Sequence, residues 1–278
     1  MPNAGKILSR VVNGVSHRLA RHRFAPQIEV KPMAGLLRLG SGYGGWTFLP
    51  SSDLAGSTIV SCGLGEDGTF DVEFAARFQA RVILVDPTPR AIAHFNEIRA
   101  RAGRQAEVPY ARGGKQPAEA YDLGNVKSDA LVLEPRALWI EETTLKFFAP
   151  RDSQHVSHSI VNLQNGYSDR GAYIEVRSIT LAALLEKHHL TWLGLLKLDI
   201  EGAESQVIGS TMASGIRPRQ ILVEFDGMNF PSSRSREFVE RTDGVLRQAG
   251  YECRHFDGQA NFLYLLSSAV AGKQNLHN

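Results

Sequence analysis

Residues 58 to 90 read Thr-Ile-Val-Ser-Cys-Gly-Leu-Gly-Glu-Asp-Gly-Thr-Phe-Asp-Val-Glu-Phe-Ala-Ala-Arg-Phe-Gln-Ala-Arg-Val-Ile-Leu-Val-Asp-Pro-Thr-Pro-Arg. The order is a short apolar strand, a glycine turn, a helix, and a second apolar strand that ends in Asp86. An open α/β sheet builds a nucleotide-type pocket this way: glycines let the backbone approach the ligand, and an acid at the next strand end holds a ribose diol. The stretch therefore predicts an adenosine-containing cofactor on an α/β fold. Asp86 also precedes Pro87 and Pro89, an arrangement that caps a helix start, and the two roles are compatible.

Gly63, Gly65 and Gly68 fit the spacing G-x-G-x-x-G, so a nicotinamide dinucleotide is one reading. Glu66 and Asp67 argue against it, because they bring two carboxylates to the turn where a pyrophosphate sits. Like unit charges about 4 Å apart repel by roughly 4 kcal/mol at an effective dielectric near 20. S-adenosylmethionine has no phosphate, and its sulfonium and ammonium suit an acidic turn. The charge balance favours a methyl donor over a hydride carrier.

Working outward, Leu193-Gly-Leu-Leu-Lys-Leu-Asp-Ile-Glu-Gly-Ala-Glu204 reads as a buried strand running into Asp199, a turn at Gly202 and a helix. Asp199 and Glu201 then fall at the carboxyl edge of a parallel sheet, where open α/β folds bind ligands. The i, i+2 spacing of a strand would turn both carboxylates into one cleft. Gln220 to Phe225 reads as a strand ending near Glu224 and Asp226, Glu237 to Gln248 as a helix, and Tyr251 to Phe256 with Asn261 to Leu266 as a terminal hairpin. Residues 103 to 130 are turn-rich. Ala137 to Ile140 and Thr144 to Phe148 read as the two arms of a hairpin, and Tyr173 to Ile179 alternates like a strand.

Residues 35 to 53 hold Gly40, Gly42, Gly44, Gly45 and Trp46, followed by Pro50 and Ser-Ser-Asp, a composition that marks a loop. Tyr43 or Trp46 would then close over the cofactor and face its cation. His155 and His158 lie in a polar loop. With Asp199 and Glu201 they form a weak signal for a divalent metal, which the spacing of two histidines does not favour.

The string Leu-Lys-Leu-Asp-Ile-Glu-Gly-Ala-Glu at 196 to 204 resembles the FkbM family of S-adenosylmethionine-dependent methyltransferases. Further matches are Val176 to Leu185, Ile221 to Phe225, Tyr43-Gly-Gly-Trp46, Gly65 to Asp71, Asp86-Pro-Thr-Pro89, Leu145 to Pro150 and Ser157-His-Ser159. The likeness spans roughly residues 36 to 266. It implies a Rossmann-like class I methyltransferase fold: a seven-stranded, mostly parallel sheet with helices on both faces and an antiparallel terminal hairpin. It also implies transfer of a methyl group to a hydroxyl, frequently on a sugar or natural product.

Carried over by position, the cofactor residues implied are Gly63, Gly65, Glu66 and Asp86, with Cys62 standing where many methyltransferases carry an acid and Trp46 beside the donor. The active-site string implied is Lys197, Asp199, Glu201 and Glu204. Asp199 is the first candidate to orient or deprotonate the acceptor, Glu201 the second and His158 the third, with Lys197 pairing one of the carboxylates. A hydride-transferring Rossmann oxidoreductase and a non-catalytic binding protein are the alternatives.

At 278 residues and 43% hydrophobic content the chain can bury one full core. The expected division is a basic extension at 1–35, a methyltransferase domain at 36–268 and a tail at 269–278. A formal charge of +2 is too mild to point to or away from nucleic acid, and no nucleic-acid partner is expected. The acceptor expected is a small molecule or glycan. Cys62 and Cys253 read as reduced thiols of a cytoplasmic protein. Ile7, Leu8, Val11, Val12, Val15 and Leu19 share one helical face over residues 5 to 24, with Lys6, Arg10, Arg18, Arg21 and Arg23 around it. Such a helix caps a domain or, in the minority reading, touches a membrane surface or an acidic partner.

Overall fold

The computed structural model describes residues 20, 22–149, 159–160 and 171–267. In chain order the elements are β1 (Leu37–Leu39), β2 (Trp46–Phe48), β3 (Thr58–Cys62), α1 (Thr69–Phe78), β4 (Arg81–Val85), α2 (Pro89–Ala100), β5 (Leu131–Glu134), β6 (Ala137–Leu138), β7 (Thr144–Phe148) and β8 (Tyr173–Ile179). They continue with α3 (Leu181–Lys187), β9 (Leu195–Leu198), α4 (Glu204–Ala213), β10 (Gln220–Glu224), α5 (Ser233–Gln248), β11 (Tyr251–Phe256) and β12 (Asn261–Leu266).

Seven strands form one mixed sheet in the order β11-β12-β10-β9-β3-β4-β5. The pairs β3/β4, β3/β9, β4/β5 and β9/β10 are parallel, whereas β12 runs antiparallel to both its neighbours. The chain order reverses between β3 and β9, which places a crevice beyond the carboxyl ends of these central strands.

The central strands read as unbroken apolar runs because both faces are covered. Val60, Cys62, Ile83, Val85, Leu196, Leu198, Ile221 and Val223 point to one face, against Leu184, Val207, Val239 and Leu246 of α3, α4 and α5. Ile59, Val82, Leu84, Leu195 and Leu222 point to the other, against Phe70 and Phe74 of α1 and Ala91 and Phe95 of α2. Lys197 falls in the second set by strand period, a buried cation in an apolar row. α2 starts on a Thr88 cap with Pro89 in its first turn, and α5 on a Ser232 capping box.

Three expectations are corrected. The stretch 35 to 53 is not all loop: β1 and β2 pair antiparallel, and Trp46 and Phe48 are core residues at 4% and 0% exposure. Phe48 packs its ring on Phe70, Phe74 and Phe78, and that apolar contact outweighs the turn-forming composition. Second, β6 and β7 do not pair with each other; both flank β8, one parallel and one antiparallel. Third, β5 forms the sheet edge directly after the turn-rich segment, where four residues are too few for periodicity to register.

The predicted basic helix at 5 to 24 lies outside the described residues except for its last turn. No helix among the described residues is long and apolar enough to cross a membrane.

Candidate active site

The crevice at the strand ends is a cleft of about 750 Å³, within the range of small-molecule sites. Its floor is the turn after β3. Gly63 has φ +83°, and a Cβ there would stand 1.9 Å from the Asp199 carbonyl oxygen, so no side chain fits between the ends of β3 and β9. Gly65 has φ +54° and faces open cleft, where a Cβ would meet nothing within 4 Å. The bare turn leaves a cradle that a side chain would fill.

Asp86, at the end of β4, fastens this turn. One of its oxygens accepts from the backbone N–H of Leu64 and of Gly65, both at 3.0 Å. The other accepts from the Thr88 N–H at 2.9 Å and the Thr88 hydroxyl at 2.7 Å. The carboxylate is buried and all its acceptor directions are in use. Of the two roles read from the sequence, the helix-start role is met through Thr88, whereas the ribose-diol role finds no free acceptor on this side chain, whose oxygens hold the glycine turn and Thr88 instead.

Lys197 fastens the turn from the other side. Its ammonium donates to the carbonyls of Cys62 at 3.1 Å and Gly63 at 2.9 Å, and lies 3.6 Å from an Asp199 oxygen. It also sits 5.1 Å from the centre of the Trp46 ring. Trp46 therefore lines the cleft as a buried wall rather than a lid. Tyr43, at the tip of the β1–β2 connection, is the exposed aromatic there, with 68% of its surface free. Cys62 does not line the cleft: its carbonyl accepts from Lys197, and its thiol is in the core, where burial pushes its pKa up.

The two acids of the turn are held apart. Asp67 accepts from the hydroxyls of Ser41 and Thr69 and from Gln116 Nε2, tying the β1–β2 connection to the start of α1. Glu66 pairs with Lys115 at 2.9 Å and Arg90 at 3.9 Å.

Asp199 and Glu201 line the cleft, but beyond β9 rather than on it, so strand alternation is not what gathers them. Glu201 adopts φ +51°, the left-handed region, costing about 1–2 kcal/mol for a residue with a side chain. The turn it forms carries the chain from β9 into α4. Asp199 keeps 31% of its side chain exposed to the cleft. Desolvation raises its pKa and the Asp86 charge adds to this, while Lys197 opposes both. Glu204 opens α4, accepts from the Gly202 N–H at 2.8 Å, and is pushed up to about 8 chiefly by burial.

The structure adds residues that the sequence did not single out. Glu224 and Asp226, at the end of β10, line the same cleft, with Asn229, Phe230, Gln259 and Asn261 beside them. Their signal was position: β10 is the parallel neighbour of β9, so its carboxyl end opens on the same crevice. Burial pushes Glu224 up to about 8, with Asp199 adding, and raises Asp226 well above the usual carboxylate range.

His155 and His158 lie outside the described residues. Among the described residues no group of three or more His, Cys, Asp and Glu side chains is placed to hold a metal ion.

The methyltransferase FkbM domain model matches residues 46–253. The chain belongs to the FkbM methyltransferase family. The match begins at Trp46 and takes in the glycine turn, Asp86, the Lys197–Glu204 string and the end of β10. No curated protein sequence matches the chain at a significant level. Membership of a methyltransferase family sets aside the hydride-carrier reading of the Gly63, Gly65 and Gly68 spacing.

Proposed function

We propose that the protein is an S-adenosylmethionine-dependent O-methyltransferase acting on a hydroxyl of a sugar, glycan or small natural product. The observation that carries the reading is the bare glycine turn, locked by Asp86 and Lys197 at the head of a cleft rich in carboxylates, in a chain of the FkbM family. The residues fit the donor by chemistry. Gly65 leaves room for an adenosyl group against the backbone, and the lining acids suit a sulfonium and an ammonium. S-adenosylmethionine would supply a methyl group already activated by a positive sulfur. Gly63, Gly65, Glu66 and Trp46 are the residues that would hold it, on a turn that Asp86 keeps in shape.

What the chain must add is alignment and a proton acceptor. Holding the hydroxyl oxygen about 3–3.5 Å from the methyl carbon removes much of the barrier. An unassisted alcohol is a poor nucleophile, so a base must take its proton as the C–O bond forms and the C–S bond breaks. Asp199 is that base: it borders the cleft, and its partly desolvated carboxyl carries a raised pKa that makes it the better acceptor. Lys197 holds Asp199 in place, and its charge opposes the rise in the carboxyl's pKa. Glu201 stands second, on the same turn.

The test is methyl transfer from a labelled donor into an extract of small molecules and glycans, with the labelled product identified and the assay repeated with a chelator. The expected result is label on an ether oxygen. Asp199→Ala is expected to lower kcat by about 10²–10⁴-fold with donor affinity changed only a few-fold. Full activity in Asp199→Ala and Glu201→Ala alike would refute the assignment of the base.

A further inference from the structure

The charges that line the cleft do not balance. Its described lining holds seven carboxylates, those of Glu66, Asp67, Asp86, Asp199, Glu201, Glu224 and Asp226, and one cationic side chain, Lys197. At the glycine turn the acids are answered: Glu66 by Lys115 and Arg90, Asp67 by hydroxyls and Gln116, Asp86 by backbone N–H groups. Asp199 has Lys197. At the far end, Glu224 accepts one bond from Asn229 Nδ2 at 3.1 Å. Asp226 is 6% exposed, and its buried Oδ2 has no hydrogen-bond partner among the described residues. A buried carboxylate oxygen without a donor costs several kcal/mol unless something arrives to satisfy it.

The methyl donor cannot be that partner for the whole site. It carries a single net positive charge and binds at the turn, where acids already surround it. The charges acting on Asp226 are the carboxylates of Asp199 and Glu201 after β9, Glu204 at the start of α4, and Glu224. Tyr43 and Phe230, both exposed and lining the same cleft, add aromatic surface of the kind ammonium groups favour.

We propose that the acceptor is cationic: a hydroxyl compound bearing an ammonium group, which Glu224 and Asp226 hold while its hydroxyl is presented to Asp199 and the methyl donor. This rests on the methyltransferase reading and narrows its substrate class. An ammonium supplies N–H donors to the orphaned Asp226 oxygen and positive charge to the acid cluster; a neutral polyol supplies donors only. Arrival of the cation lets Glu224 and Asp226 ionise, so binding releases protons and tightens as pH rises from 6 to 8, short of the pH at which the amine loses its own charge.

The experiment uses the full chain and begins with S-adenosylhomocysteine titrated by calorimetry; absence of binding there defeats the methyltransferase reading itself. With that product bound, two matched pairs of probes are titrated at pH 6 and pH 8: 3-amino-1-propanol against 1,3-propanediol, and 2-aminoethanol against ethylene glycol. The expected result is about tenfold tighter binding of the amine in at least one pair at pH 8, the worth of one charge-assisted hydrogen bond. That preference shrinks at pH 6 and is lost in Asp226→Asn and in Glu224→Gln, both of which still bind S-adenosylhomocysteine. Affinities equal within twofold in both pairs, including no binding of either member, overturn the proposal. So does saturation of the site by Mg²⁺ alone, which would make the missing cation a metal.

Discussion

At the Asp86 end of the cleft both carboxylate oxygens are saturated by N–H and hydroxyl donors from residues 64, 65 and 88, whereas at the Asp226 end one carboxylate oxygen is buried without a donor among the described residues. The two acids sit at the ends of parallel strands of one sheet, β4 and β10. The first has its partners built in, which shapes the glycine turn before any ligand arrives. The second leaves its demand open, and its field is shared by the neighbouring acids. A site that holds an invariant cofactor is served by the first arrangement, since rigidity lowers the ordering cost of binding. A site that selects its substrate is served by the second, because unmatched groups reject whatever fails to satisfy them.

The largest expected effect breaks the saturated end from beneath. Lys197→Met leaves the Gly63 carbonyl without its lysine donor, the Cys62 carbonyl with the Asp199 N–H only, and Asp199 without its counter-charge, so it should cost about 3 kcal/mol of stability and abolish donor binding. Urea denaturation checks this; a loss under about 1 kcal/mol would mean that the turn stands without the lysine. Next comes Asp86→Ala, which frees two backbone N–H groups of the turn. It should destabilise by about 2 kcal/mol and weaken donor binding about hundredfold, read by the same denaturation and by calorimetry. Unchanged donor affinity would show that the turn keeps its shape without its acid.

The smallest effect sharpens the other end. The carboxyl of Glu224 is pushed up to about 8 in the folded protein, against about 4.3 unfolded. Between those values the native state keeps a proton that the unfolded chain has released, so this group's stability contribution is complete below about pH 4 and is lost as pH rises towards 8. Glu224→Gln should flatten that decline, gaining about 1 kcal/mol relative to wild type between pH 7 and pH 8.5. Parallel stability profiles would show that the carboxyl is not desolvated as the fold implies.

The saturated end was the legible one. A glycine turn, an acid at the next strand end and the Lys197–Glu204 string are local patterns, each fixed by a few consecutive residues, and the structure brings the turn, Asp86, Lys197, Asp199 and Glu201 into one cleft, with Glu204 outside it. The open end was not legible, because Glu224 and Asp226 become site residues only through the lateral pairing of β10 with β9, which no local spacing encodes. Trp46 misled for a related reason: four glycines around it read as loop, while the Phe48, Phe70 and Phe74 cluster that makes its strand a core element is assembled from separate segments. β5 was hidden by its four-residue length. In each miss, tertiary contact decided what composition could not.

The central claim is that the bare turn at Gly65 is where an adenosyl methyl donor lies. Calorimetric titration of S-adenosylmethionine into wild type and Gly65→Ala tests it directly, because a Cβ at that position meets only open cleft in the ligand-free protein. The left-handed φ adds about 1 kcal/mol of strain, which a parallel denaturation curve measures separately. The account predicts saturable binding to wild type and a loss of at least about hundredfold in the variant, more than that strain explains. Absence of binding to wild type, or equal affinity in the two proteins, would contradict it.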